Sequence, residues 1–267
     1  MLGKLLKLEF KSTARLFLLV YAGMIGVALL ALGVRTLAES AFPGSLSSIL
    51  LSAISILFVL TLGFGFIATS IAVISRFYKN MLGDEGYLMF TLPVKTSRHI
   101  ISKLITSSLW SFLSILVILL SIGIALIGTN VQATLKPFFA EMRAFGYNPG
   151  LYIGGFFVIL LFSCIVGMIL WYAAISIGPR VTHNRLGGTI VAYLVIYFAY
   201  QILGVLILFP IYGLQMTELM DVYDFSDPNL QKFLLSSFLG VILLNVISGV
   251  VGYFITHRML DKRLNLN

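Results

Sequence analysis

Apolar residues in this chain come in long unbroken runs, and polar ones gather in short stretches between them. Stretches without a charged residue cover 16–34, 40–75, 104–135, 144–179, 186–217 and 233–256. Each holds a helix of about 20 residues, the length that crosses a hydrocarbon core of about 30 Å. The runs are continuous rather than alternating, which excludes a β-barrel. Turn signals trim the longer runs: SAFPGSLSS places a helix start near Ser45, and AFGYNPG places another near Leu151. The pattern therefore predicts an all-α integral membrane protein, one membrane domain over 1–267. Its six transmembrane helices are expected at about 16–36, 45–75, 104–128, 151–179, 188–212 and 233–256.

The segment ahead of the first run has its own pattern. Lys4, Lys7, Lys11 and Arg15 recur at spacings of three and four, on one helical face, with Leu2, Leu5, Leu6 and Phe10 largely away from it. This predicts an amphipathic helix over 1–15 lying in the membrane interface, its cations toward lipid phosphates. A plain basic flank that sets topology is the alternative. The basic region is too long, and the apolar run too extended, for a secretory signal peptide, so the segment is expected to be retained.

Composition strengthens this reading. Charged residues make up 10% of the chain and hydrophobic ones 59%, with a mean hydropathy of +1.03. Soluble domains carry about a quarter charged residues. The net charge of +8 therefore reads as topology rather than as a nucleic-acid surface. Of the 18 Lys and Arg, all but Arg35, Lys136, Arg143 and Lys232 fall in the N-terminal arm, the segment after span two (Arg76, Lys79, Lys95, Arg98, Lys103), the turn after span four (Arg180, Arg185) and the tail (Arg258, Lys262, Arg263). By the positive-inside rule these four segments face the cytoplasm. Both termini are then cytoplasmic, as an even number of spans requires, and the expected location is the plasma membrane. The longest cytoplasmic segment is 76–103.

Candidate chemistry is sparse. Cys164 is the single cysteine, so no disulfide framework or Cys metal cluster is expected. His99, His183 and His257 fall in three separate segments without metal spacing and read as loop residues. No P-loop pattern occurs, and GFGF at 63–66 lies inside an apolar run, so neither is a nucleotide site. The predicted spans hold no Asp, Glu, Lys or Arg in their interior, Arg35 standing at the end of the first, whereas ion-coupled carriers place such groups near midplane. Thr69, Ser70, Ser114, Ser121 and Ser163 read as helix-packing residues. Gln201 and Asn245 are the candidates for a substrate path. Glu218, Asp221, Asp224 and Asp227 read as a solvated external loop, since no calcium-loop spacing is present.

The segment GDEGYLMFTLP at 83–93 is different. Gly83 and Gly86 punctuate it, Asp84 and Glu85 suit a helix start, and Pro93 stops it. Tyr87, Leu88, Met89 and Phe90 form an apolar knob, a pattern that marks either a partner surface or packing on the chain's own spans. VKTSRHIISK then restarts a helix near Thr96 or Ser97 that runs into span three. The order of basic arm, two spans, Gly83-Asp84-Glu85, Tyr87-Leu88, Thr91-Leu92-Pro93-Val94 and four further spans resembles the ABC-2 class of permeases of ATP-binding-cassette exporters. A weaker likeness is the basic turn GPRVTHNRLGG at 178–188.

The resemblance implies that 76–103 holds a coupling helix docked on an ATPase through Asp84, Glu85, Tyr87, Leu88, Phe90 and Pro93. It implies that the N-terminal arm is an elbow helix, and that a bent, re-entrant region follows Pro210. It further implies separate ATPase subunits that bind ATP and Mg, a second permease (a copy or a paralogue), and export of an amphipathic or hydrophobic substrate, peptide or lipid-like. This chain itself is expected to carry no catalytic residue, no cofactor and no metal. Membrane lipids are expected partners and nucleic acid is not. The competing expectation is a membrane scaffold or sensor that holds a cytosolic partner through the same segment without transport.

Overall fold

The computed structural model describes residues 2–41, 44–82, 96–181, 185–219 and 228–264. Among the described residues the fold is all helical: α1 Leu2–Ala41, α2 Ser45–Leu82, α3 Thr96–Ala125, α4 Val131–Ala144, α5 Pro149–Val181, α6 Arg185–Leu219 and α7 Pro228–Leu264. Six contain stretches long and apolar enough to cross a bilayer: Leu5–Ala38, Ser45–Lys79, Ser97–Ala125, Pro149–Val181, Leu186–Gly213 and Leu230–Asp261. In lipid no water satisfies a free N–H or C=O, so an apolar run of this length is held helical by its own backbone bonds.

Helix boundaries follow local chemistry. Gly44 takes a φ of 91° immediately before α2, a conformation open to glycine and strained for other residues. Before α5, Asn148 Oδ1 accepts the backbone N–H of Gly150 at 3.0 Å, and Pro149 occupies the first helical position, where its missing N–H costs nothing. The helix restart at Thr96 and the starts near Ser45 and Leu151 agree with the sequence pattern.

Other expectations are corrected. Residues expected as a separate interfacial helix and a first span form one unbroken helix, α1, because no Gly or Pro interrupts the chain between Gly3 and Gly23. Much of 76–103 is helical, as the end of α2 and the start of α3, leaving 83–95 between them. A helix not foreseen, α4, follows the turn after α3. Pro210 does not end its helix, since α6 runs through it to Leu219. A membrane-embedded helix accommodates such a proline by local adjustment that re-satisfies the freed carbonyl. His99 and His257 stand in α3 and α7, not in loops.

The chain divides into two compact units, Met1–Arg76 with Ile105–Ala133, and Phe77–Leu104 with Thr134–Asn267. In the first, Phe17, Tyr21, Met24 and Ala28 form a buried stripe on α1 at helical spacing. Trp110 of α3 stacks on Phe17, ring centroids 4.7 Å apart. In the second, α5, α6 and α7 pack on one another. Glycines let their backbones approach: a Cβ at Gly178 would stand 2.6 Å from the backbone of Thr189, and one at Gly252 would stand 2.5 Å from Ile169. Trp171 and Tyr193 stack at 3.6 Å between α5 and α6. Large side chains such as Phe64, Phe198, Leu206 and Phe209 are exposed, as expected of surfaces solvated by lipid tails.

Candidate functional site

The six residues proposed for coupling, Asp84, Glu85, Tyr87, Leu88, Phe90 and Pro93, lie outside the described residues. What the structure does describe is both feet of that segment. At the end of α2, Phe77 is buried and its ring stacks on Tyr172 of α5, centroids 3.6 Å apart and planes within 8°. The Tyr172 hydroxyl donates to the Lys103 carbonyl of α3 at 3.2 Å. Nearer the start of α3, the Tyr253 hydroxyl of α7 donates to Ser97 Oγ at 3.3 Å. One turn further along α7, His257 Nδ1 pairs with Asp261 at 3.0 Å. His99 and Lys103 are themselves buried on α3. The described residues on either side of 83–95 thus meet α5 through Phe77 and Lys103, and α7 through Ser97.

The contacts here include a ring stack, two hydroxyl hydrogen bonds and the His257–Asp261 pair. Among the described residues no group of three His, Cys, Asp or Glu stands close enough to hold a metal ion. Tyr172 was not singled out from the sequence because it stands in an apolar run that any aromatic suits. Phe77 and Tyr253 carried a faint signal as aromatics beside cation-rich helix ends.

Lys7, Lys11 and Arg15 are exposed on α1, while Glu9, Thr13 and Phe17 on the opposite side are buried. These three cations share the exposed side of α1 with Leu8 and Leu16. Glu9 pairs with Arg76 of α2 at 3.1 Å, and Arg76 also bonds the Ser12 hydroxyl. Trp110 Nε1 donates to Thr13 Oγ1 at 2.9 Å, and Thr13 in turn donates to the Glu9 carbonyl at 2.7 Å. Tyr21 donates to the Trp110 carbonyl at 2.8 Å and lies 2.7 Å from Ser114 Oγ. Arg35 donates to the carbonyls of Ala125 and Ile127, the favourable place for a cation at the end of α3. Two cations counted only for topology thus have structural roles.

The substrate-path candidates differ in burial. Gln201 lies on the exposed face of α6, whereas Asn245 is buried and donates to the Val241 carbonyl of its own helix at 2.9 Å. The reason is helical phase, since a polar residue in an apolar run does not reveal which side of its helix faces protein.

Six membrane-length helices, apolar outer faces and glycine-mediated crossings define a multi-pass helical membrane protein. Comparison with protein-family models, with curated proteins and with solved structures gives no match.

Proposed function

We propose that this chain is the membrane-spanning permease subunit of an ATP-binding-cassette exporter, moving an amphipathic or hydrophobic substrate out of the cell. In this reading 83–95 and both termini face the cytoplasm across the plasma membrane. Separate ATPase subunits bind ATP and Mg, and a second permease, a copy or a paralogue, completes the path.

The observation that supports the reading is how the described residues on either side of 83–95 are fixed. A segment that receives force needs flanks fixed to the elements it moves. Phe77 on Tyr172 and Tyr172 on Lys103 tie those flanks to α5, and Ser97 with Tyr253 ties them to α7. An ATPase gripping Asp84, Glu85, Tyr87, Leu88, Phe90 and Pro93 would then pull on α5 and α7 through these residues. The residue order in 83–94 and the absence of charge from the interior of the predicted spans support the same reading, since a device driven from outside needs no titrating group at midplane.

The test is purification of the intact chain in mild detergent, with ATP hydrolysis measured on whatever co-elutes. An ATPase is expected, and Tyr87→Ala with Phe90→Ala should release it. If association and coupled hydrolysis survive that double substitution, the docking assignment is wrong. A chain that elutes alone and shows no nucleotide-dependent behaviour returns the scaffold or sensor reading.

A further inference from the structure

Among α5, α6 and α7 lies a cavity of about 160 Å³. Small residues are among its lining: Ala173 on α5, Ala199 on α6 and Gly252 on α7. Ala199 and Val251 are exposed, whereas Ala173 and Ser248 are buried, so the cavity runs inward from an outer mouth to a closed floor. All its lining positions fall inside the three membrane-length stretches, with Tyr200 near the middle of Leu186–Gly213. Its mouth is therefore reached from the hydrocarbon layer.

The wall is aliphatic except for Tyr200 and Ser248. Ser248 is 6% exposed, and its hydroxyl oxygen has no hydrogen-bond partner among the described residues. Other helical hydroxyls in the same unit, those of Ser176 and Thr256, return their proton to a carbonyl one turn earlier. Ser248 instead lines an apolar space with an unmet polar atom, which costs free energy unless something fills it. An apolar cavity of about 150 Å³ accepts a molecule the size of benzene. No charged residue lines the space, and a charge at this depth is strongly disfavoured.

We propose that this cavity binds a neutral amphiphile of phenol size, an apolar ring or short chain with one hydrogen-bonding group, entering laterally from the bilayer. Its body fills the space beside Ala173 and Ala199, and its polar group meets Ser248. The claim concerns binding alone. It is read on the purified chain without any ATPase, so its failure and that of the permease reading are separate results.

The test uses the full chain in detergent, with 4-fluorophenol and fluorobenzene followed by fluorine NMR. Saturable binding of both is expected, the phenol about fivefold tighter, the worth of one neutral hydrogen bond. Ser248→Ala should abolish that preference while fluorobenzene still binds. Ala199→Phe, at the open mouth, should block both probes with helix content and elution unchanged. Absence of saturable binding, indifference to Ala199→Phe, or a preference that survives Ser248→Ala overturns the proposal. Displacement of both probes by a lipid without a free hydroxyl, independent of Ser248, overturns it in favour of an acyl tail.

Discussion

Replacing Gly178 by Ala tests how the helices of the second unit are held. A Cβ at 178 would stand 2.6 Å from the Cα and N of Thr189, about 0.8 Å short of ordinary contact, which begins at 3.4 Å. The obstacle is backbone, so no rotamer relieves it and α5 and α6 must part at that level. A radial gap of about 0.5–1 Å forfeits a quarter to a half of each dispersion contact nearby. Overpacking of this kind costs about 1–3 kcal/mol. Against it stands the helix preference of Ala over Gly, about 0.5–1 kcal/mol. The expected net loss is about 1–2 kcal/mol. Gly167, on the same helix, has nothing within 4 Å of its Cβ position, so Gly167→Ala should be neutral or slightly stabilising. Gly65→Ala should fall between them, because its obstacle is the flexible Met24 side chain, with Sδ at 2.7 Å. The assay is denaturant titration of the three variants in one detergent, followed by circular dichroism. A Gly178→Ala protein as stable as Gly167→Ala refutes the reasoning.

Further outcomes follow from the polar contacts. A double-mutant cycle of Thr13→Val and Trp110→Phe should give a coupling of about 0.6 kcal/mol and no more than about 1.7, the range for hydrogen bonds within membranes, read by the same titration. Arg35→Ala should loosen the end of α3, seen as faster amide exchange at 122–127, while Lys136→Ala should leave that rate unchanged. If the permease reading holds, Tyr172→Ala should leave ATPase association intact but lower substrate-stimulated hydrolysis severalfold, because it releases both Phe77 and Lys103. Tyr172→Phe, which keeps the ring stack, should retain most of that coupling.

How much of this was legible beforehand depends on which physical property each feature expresses. Six apolar runs predicted six membrane-length helices because transfer into lipid sums over a segment and needs no knowledge of its neighbours. The starts near Ser45 and Leu151 were readable because glycine, asparagine and proline act through their own backbone geometry. The continuity of α6 through Pro210 was misread, since helix-breaking signals learned in water weaken where the alternative is an unsatisfied backbone in lipid.

What tertiary structure alone decided is which side of each helix meets protein. Ala28 is fully buried and Leu29 is 54% exposed, yet both are apolar, because lipid and protein interior ask for the same chemistry. In a soluble helix the polar face would have marked the outside. Here that mark is absent, so the Phe77–Tyr172 stack, the different burial of Gln201 and Asn245 and the cavity beside Ser248 emerge only when the helices are packed. Composition and run length determined that the chain spans a membrane. Phase and close approach, set by contacts distant in sequence, decided everything that could bind or move.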